Sequence, residues 1–284
     1  MIDINARVQR VLQTGVVSSR HLSGGCIGDV RQLALEDGRN VVAKIGNGSS
    51  PGLALEGFML NYLAKNSSLP VPDVLHADDT LLIMSKLPTS GAIDHEAEED
   101  AAHHIAGLHD ITSDHFGFER DTLIGGLVQP NPQQKSWIEF FRVHRLMYMG
   151  RRCTKSGRIP SNILSRLERF CAHLDKWLAE PSAASLLHGD LWTGNVLVHR
   201  GKISGFVDPA IYYGDPEIEL AFTTLFGTFG KSYFRRYDEL RGLKPGFFEE
   251  RQDIYNLYPL LVHVNLFGGS YVNSVDRTLR RFGY

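Results

Sequence analysis

A chain of 284 residues with 43% apolar composition is long enough to bury a large core and to divide into two lobes. With 30 basic residues against 32 acidic ones the formal net charge is −2, so no global field points to nucleic acid or an anionic membrane. Three cysteines exclude a disulfide framework, and no apolar run reaches membrane-spanning length, since the stretch near Leu260 is broken by His263 and Asn265.

From the N-terminus, Ile4, Val8, Val11 and Leu12 fall at helical spacing among polar residues, unlike a signal peptide, which implies a cytoplasmic address. His21 to Val30 (HLSGGCIGDV) reads as a glycine-rich turn between two strands, where Gly24 and Gly25 let backbone amides approach phosphate oxygens. Its spacing is neither a Walker A motif nor a full Gly-x-Gly-x-x-Gly. Cys26 lies within that turn, where amide dipoles lower a thiol pKa; redox control through Cys26, including a redox-linked dimer, is one expectation, beside a monomer or an ordinary homodimer.

After the Asp37-Gly38 turn, Val41-Val42-Ala43-Lys44-Ile45 is a predicted strand that resembles the Val-Ala-Ile-Lys strand of kinases. Ser50-Pro51 supplies an N-cap and first position for a helix whose apolar face is Leu55, Met59, Tyr62 and Leu63. Glu56 sits at the edge of that face, within reach of Lys44. Thr80 to Leu87 is a predicted buried strand that stops at Pro88, the place for an adenine-binding hinge. There Met84 would be the side chain beside the base, and the backbone around Ser85 and Leu87 would bond it.

Beyond residue 87 the pattern becomes helical, with helices expected around 95–110, 136–151, 161–179 and beyond 216. His103, His104 and His109 belong to the first of these, and none of the 12 histidines forms a zincin pair. Cys171 lies on an apolar stripe of the third. Residues 111–135, rich in Gly, Pro, Asn and Asp, read as a long ordered loop.

The densest chemistry is His188-Gly189-Asp190-Leu191-Trp192-Thr193-Gly194-Asn195, followed by Asp208-Pro209-Ala210. Phosphoryl transfer needs an oriented hydroxyl, a divalent cation bridging phosphates and positive charge on the phosphate oxygens. Asp190 and Asn195 have the Asp-x-x-x-x-Asn spacing of a kinase catalytic loop. A predicted hairpin between Asn195 and Asp208 turns at Arg200-Gly201 and returns Asp208 beside Asn195, giving two hard oxygen donors suited to Mg²⁺.

These residues resemble the fructosamine kinases, or ketosamine 3-kinases, within the aminoglycoside phosphotransferase-like group. The wider group is marked by His188-Gly189-Asp190 to Asn195 with Asp208-Pro209. The narrower family is marked by Leu187 to Asn195, Ser23-Gly24-Gly25-Cys26-Ile27, Gln129-Pro130-Asn131, Trp137-Ile138-Glu139-Phe140-Phe141 to Arg145-Leu146, Tyr213-Gly214-Asp215, Leu225-Phe226-Gly227 and Leu266 to Tyr271. The resemblance implies an α+β, bilobal, protein-kinase-like fold with a small β-rich N-lobe (1–87) and a larger, mainly helical C-lobe (88–284). It implies ATP and Mg²⁺ as cofactors, Asp190 as base, Asn195 and Asp208 as metal ligands, and Lys44 with Glu56 as the phosphate-binding pair. Trp192, His188 and Asp215 would lie on the substrate side. The implied reaction phosphorylates the 3-hydroxyl of a small-molecule or protein-bound ketosamine and leads to deglycation.

Two departures stand out: Ser85 where relatives commonly carry glutamate, and Glu219 where aspartate is usual. Two other readings compete. One is an aminoglycoside- or choline-type phosphotransferase, which the aromatics Phe140, Phe141 and Trp192 do not exclude. The other is an inactive kinase-like binding module, against which the joint retention of Lys44, Asp190, Asn195 and Asp208 speaks.

Overall fold

The computed structural model describes residues 4–22, 29–46 and 52–284. Helix α1 (Ile4–Leu12) precedes β1 (Val16–His21), β2 (Asp29–Leu35) and β3 (Asn40–Ile45), and α2 (Leu53–Asn66) precedes β4 (Val74–Asp78) and β5 (Leu81–Ser85). The strands form one antiparallel sheet in the order β1-β2-β3-β5-β4. Side chains alternate across a strand. Val41 and Ala43 therefore join Leu81, Ile83, Leu33 and Val8 of α1 on one face, while Leu82 and Met84 pack with Leu60 of α2 on the other. The same alternation puts Lys44 on the α2 face of a central strand. The proposed cap and first position of α2, Ser50-Pro51, and the glycine-rich turn with Gly24, Gly25 and Cys26 lie outside the described residues.

The second lobe begins with α3 (His95–His109), and the expected long loop carries three short strands: β6 (Thr112–Ser113) and a hairpin of β7 (Thr122–Ile124) and β8 (Leu127–Gln129). The helix expected over 136–151 is α4 (Trp137–Phe140) and α5 (Tyr148–Lys155), joined by a wider π-helical segment, Phe141–Met147. The helix expected over 161–179 stops earlier, as α6 (Ser161–Cys171), with a 3₁₀ turn beyond it. Strand β9 (Ala184–Leu187), the hairpin of β10 (Val196–His199) and β11 (Lys202–Phe206), and β12 (Tyr212–Gly214) follow; β9 lies between β12 and β6 in a three-stranded sheet. Helices α7 (Pro216–Leu225), α8 (Lys231–Arg241), α9 (Gln252–Phe267) and α10 (Tyr271–Arg281) complete the lobe. The fold is thus α+β and bilobal, with a β-sheet N-lobe and a helical C-lobe. We place the division after residue 87, where Pro88 follows the last strand of the sheet.

Phe140 and Phe141 are fully buried, their rings 5.8 and 5.6 Å from that of Trp137. Their place is the core, set by the helix face they share with Trp137. Cys153 and Cys171 are buried and free, and burial pushes both thiols up to about 12, which keeps them unreactive. No described helix is long and apolar enough to cross a membrane.

Because Phe141 touches Trp137 on one side and Tyr255 on the other (5.2 Å), truncation leaves a cavity. Phe141→Ala is expected to cost about 3–5 kcal/mol in urea unfolding. Phe248→Ala, at a side chain 50% exposed, should stay within about 0.5 kcal/mol. Equal losses would contradict this assignment of the core.

Candidate active site

Strand β9 delivers the chain to His188, and β12 returns antiparallel to it, pairing Tyr212 with Leu187. Between them the β10–β11 hairpin leaves and comes back, as its spacing predicted. Its turn uses Arg200 (φ 52°) and Gly201 (φ 71°), both in the left-handed region that suits a two-residue hairpin. The Val207 amide donates to the Asn195 carbonyl (3.1 Å) and the Ala210 amide to the His188 carbonyl (2.7 Å), so the two ends lie side by side. Gly189 (φ 84°) is required at that crossing, because a Cβ there would meet the Ala210 carbonyl oxygen at 2.1 Å.

Asp190, Asn195, Asp208 and Lys44 are brought together. The Asn195 side-chain amide donates to the Asp190 carbonyl (2.7 Å) and to its Oδ2 (3.0 Å), which turns Asn195 Oδ1 the other way. Asp208 adopts φ 55°, unusual for a residue with a side chain, and strain of that kind clusters at functional sites. Lys44 reaches across from the sheet, with Nζ 2.7 Å from Glu56 Oε1 and also bonded to Asp208 Oδ1. Burial works against the lysine's charge, yet the two carboxylates hold its pKa above the ordinary value; burial raises that of Glu56. Burial, together with the neighbouring Asp208, pushes Asp190 up to about 7. Asn195 and Asp208 offer an amide oxygen and a carboxylate, a donor pair that fits a hard divalent cation sharing its remaining positions with phosphate and water.

Glu219 is the residue whose role the sequence did not reveal. Fully buried on α7, it accepts the backbone amides of Gly189 (2.6 Å) and His188 (3.2 Å) and a bond from His109 on α3 (3.0 Å). The other ring nitrogen of His109 meets the Tyr237 hydroxyl of α8 at 2.7 Å. Burial alone would raise the pKa of Glu219, but these donors hold it below the ordinary value. The retained charge at 219 was readable; its partner more than 100 positions away was not.

Two expected substrate-side residues are placed differently. His188 is fully buried, its ring beside Phe206 and its Nδ1 3.4 Å from the Asp190 amide; burial lowers its pKa, so it supports the loop as a neutral ring out of a substrate's reach. Asp215 caps α7, its Oδ1 accepting from the Glu217 amide (2.9 Å) and its Oδ2 from the Tyr255 hydroxyl (2.7 Å). With both oxygens engaged inside the fold, it is a structural cap.

Trp192 is half-buried, its ring 6.0 Å edge-on from Phe226, which lies 4.8 Å from His263. Gly194 makes room for the indole, since a Cβ there would stand 2.5 Å from it. On the nucleotide side, Met84 is buried on the same sheet face as Lys44. The Ser85 amide donates to the Asp73 carbonyl and its hydroxyl accepts from the Asp73 amide, both at 2.8 Å. That amide is therefore not free for a base, and Leu87 follows at the strand's exit.

Comparison with known proteins bears on the family and the fold. A probable ketoamine kinase of Vibrio parahaemolyticus is 36% identical over 233 residues, 80% of this chain and 79% of that protein. The chloroplastic protein-ribulosamine 3-kinase of Arabidopsis thaliana is 31% identical over 273 residues, 92% and 81% of the two chains. The crystal structure of a protein assigned as a fructosamine-3-kinase, from Thermobifida fusca, superposes with a TM-score of 0.86 at 29% identity, covering 98% and 97%. An aminoglycoside phosphotransferase, APH(4)-Ia, shares the fold alone, with a TM-score of 0.68 at 17% identity over 98% and 99%. The family model for fructosamine kinases matches residues 2–282, and the chain, a phosphotransferase, belongs to that family.

Proposed function

We propose that this chain transfers the γ-phosphoryl group of ATP, with Mg²⁺, to the 3-hydroxyl of a ketosamine. The observation that carries the reading is the convergence of Asp190, the Asn195 amide, Asp208 and Lys44 at the junction of the two lobes. Asp190 is aimed by Asn195 and would orient the acceptor hydroxyl and take its proton. Lys44, steadied by Glu56, would bind phosphate oxygens, and Met84, Ser85 and Leu87 would border the base. Held by Asn195 and Asp208, Mg²⁺ would neutralise charge on the transferring phosphate.

The acceptor class is supported by the relatives' names, ketoamine kinase and protein-ribulosamine 3-kinase. Trp192, with Phe226 and His263 behind it, supplies an aromatic wall suited to the C–H face of a sugar. His263 Nδ1 bonds the Pro259 carbonyl (2.7 Å), and burial lowers its pKa, so this wall is uncharged, unlike the acidic lining a polycationic aminoglycoside would call for. A phosphate at C3 lies β to the amine-bearing carbon and is a good leaving group. Loss of a C1 proton with departure of that phosphate would leave an imine at C1, and its hydrolysis by water would free the amine and a 3-deoxy dicarbonyl sugar, which is deglycation.

The direct test is ATP consumption with ribulosamine and fructosamine beside kanamycin and choline, with the phosphate located by NMR. Turnover of the ketosamines alone, carrying phosphate on O3, is expected; turnover confined to kanamycin or choline would overturn the acceptor class, and none at all would favour an inactive module. Asp190→Ala should retain less than about 1% of wild-type turnover with its fold intact. Lys44→Met should chiefly raise the KM for ATP, and an unchanged KM would contradict its phosphate role. Glu219→Leu, which strips two backbone amides and His109 of a buried acceptor, should cost about 3–5 kcal/mol of stability by denaturant unfolding; a loss under about 1 kcal/mol would contradict the support assigned to it.

A further inference from the structure

The Gln129-Pro130-Asn131 segment takes no part in the chemistry above, yet its side chains end on the segment between β11 and β12 that carries Asp208. Gln129 Nε2 donates to the Ala210 carbonyl at 3.0 Å and to Thr122 Oγ1 at 2.8 Å. Thr122 Oγ1 in turn donates to the Ile211 carbonyl at 3.2 Å and accepts from Asn131 Nδ2 at 2.8 Å. The orientation of the Gln129 amide is fixed from behind, because its Oε1 accepts the Tyr258 hydroxyl at 2.5 Å. Arg145 anchors the far end through Asn131 Oδ1 (2.6 Å) and the Pro130 carbonyl (2.7 Å), its guanidinium 4.0 Å from the Tyr212 ring centre. Gln129, Thr122, Asn131 and Arg145 are each at most 1% exposed.

Asp208 sits between two points of attachment. Upstream, the Val207 amide is held by the Asn195 carbonyl; downstream, Ala210 is held through its amide by His188 and through its carbonyl by Gln129. A non-glycine residue at φ 55° persists only where its surroundings over-determine it. Gln129 supplies the part of that constraint that comes from outside the β9–β12 unit.

We propose that Gln129 is a positioning residue for the divalent-cation clamp: through the Ala210 carbonyl it holds Asp208 in its left-handed conformation. The inference rests on the metal roles proposed above for Asn195 and Asp208. A ligand aimed by a network of this kind loses metal affinity when the network is cut, whereas a purely structural defect lowers stability without selecting the metal.

The test is a Mn²⁺ titration followed by electron paramagnetic resonance, with the full chain and a non-hydrolysable ATP analogue. Gln129→Leu, which keeps volume and removes the donor, should weaken Mn²⁺ binding about 10–100-fold. Cys171→Ala, in the α6 core, should lower the Tm and leave Mn²⁺ affinity unchanged. Should Gln129→Leu fail to fold, Tyr258→Phe, which only releases the back of the amide, is read in its place and should show a smaller weakening of the same sign. Wild-type affinity in whichever variant is read, or an equal loss in Cys171→Ala, would overturn the role of Gln129 while the metal site stands. A wild-type chain that takes up no Mn²⁺ would overturn the metal assignment itself, and this inference with it.

Discussion

The arrangement depends on one buried cation held between two carboxylates from different parts of the fold. Lys44 comes from the central strand of the N-lobe sheet, Glu56 from the helix packed on that face, and Asp208 from the C-lobe. A buried charge is tolerable only when it is paired and bonded. This triad therefore fixes how the lobes meet, and Asp208 can reach Lys44 only because the chain returns beside the catalytic loop. On the function proposed, phosphate oxygens and a divalent cation would take over the partners that Lys44 and Asp208 now give each other.

Around that contact the C-lobe is built to hold backbone in place. Glu219 grips the start of the catalytic loop with His109 behind it, and the Thr122–Gln129 hairpin grips the segment after Asp208. The two grips enter from opposite sequence directions and meet at the bond between Ala210 and His188. Such buried networks are stabilising only when fully satisfied. On the function proposed, the half-buried Trp192 and the exposed Phe226 would offer ring surface to a sugar.

What was legible in the sequence was local. The Asp-x-x-x-x-Asn spacing, the Arg200-Gly201 turn and the alternation along β3 each encode geometry within a few residues, so the meeting of Asp190, Asn195 and Asp208 could be read from them, while Lys44, 164 positions before Asp208, was joined to them by the resemblance. What was not legible needed partners far away. The resemblance put Asp215 on the substrate side, but helix capping and Tyr255 claim both of its oxygens. His188 was likewise expected on the substrate side, but burial makes it a neutral support. The π-helical widening over Phe141–Met147, which lies within the face that buries Arg145, leaves no mark in an apolar periodicity.

The most direct examination of the central claim is a crystal structure of the chain with Mg²⁺ and a non-hydrolysable ATP analogue. The expected result is a metal ion at about 2.0–2.1 Å from Asn195 Oδ1 and an Asp208 oxygen, Lys44 Nζ on phosphate oxygens, and Asp190 facing the γ-phosphate. A triphosphate bound elsewhere, or a metal that touches neither Asn195 nor Asp208, would contradict it.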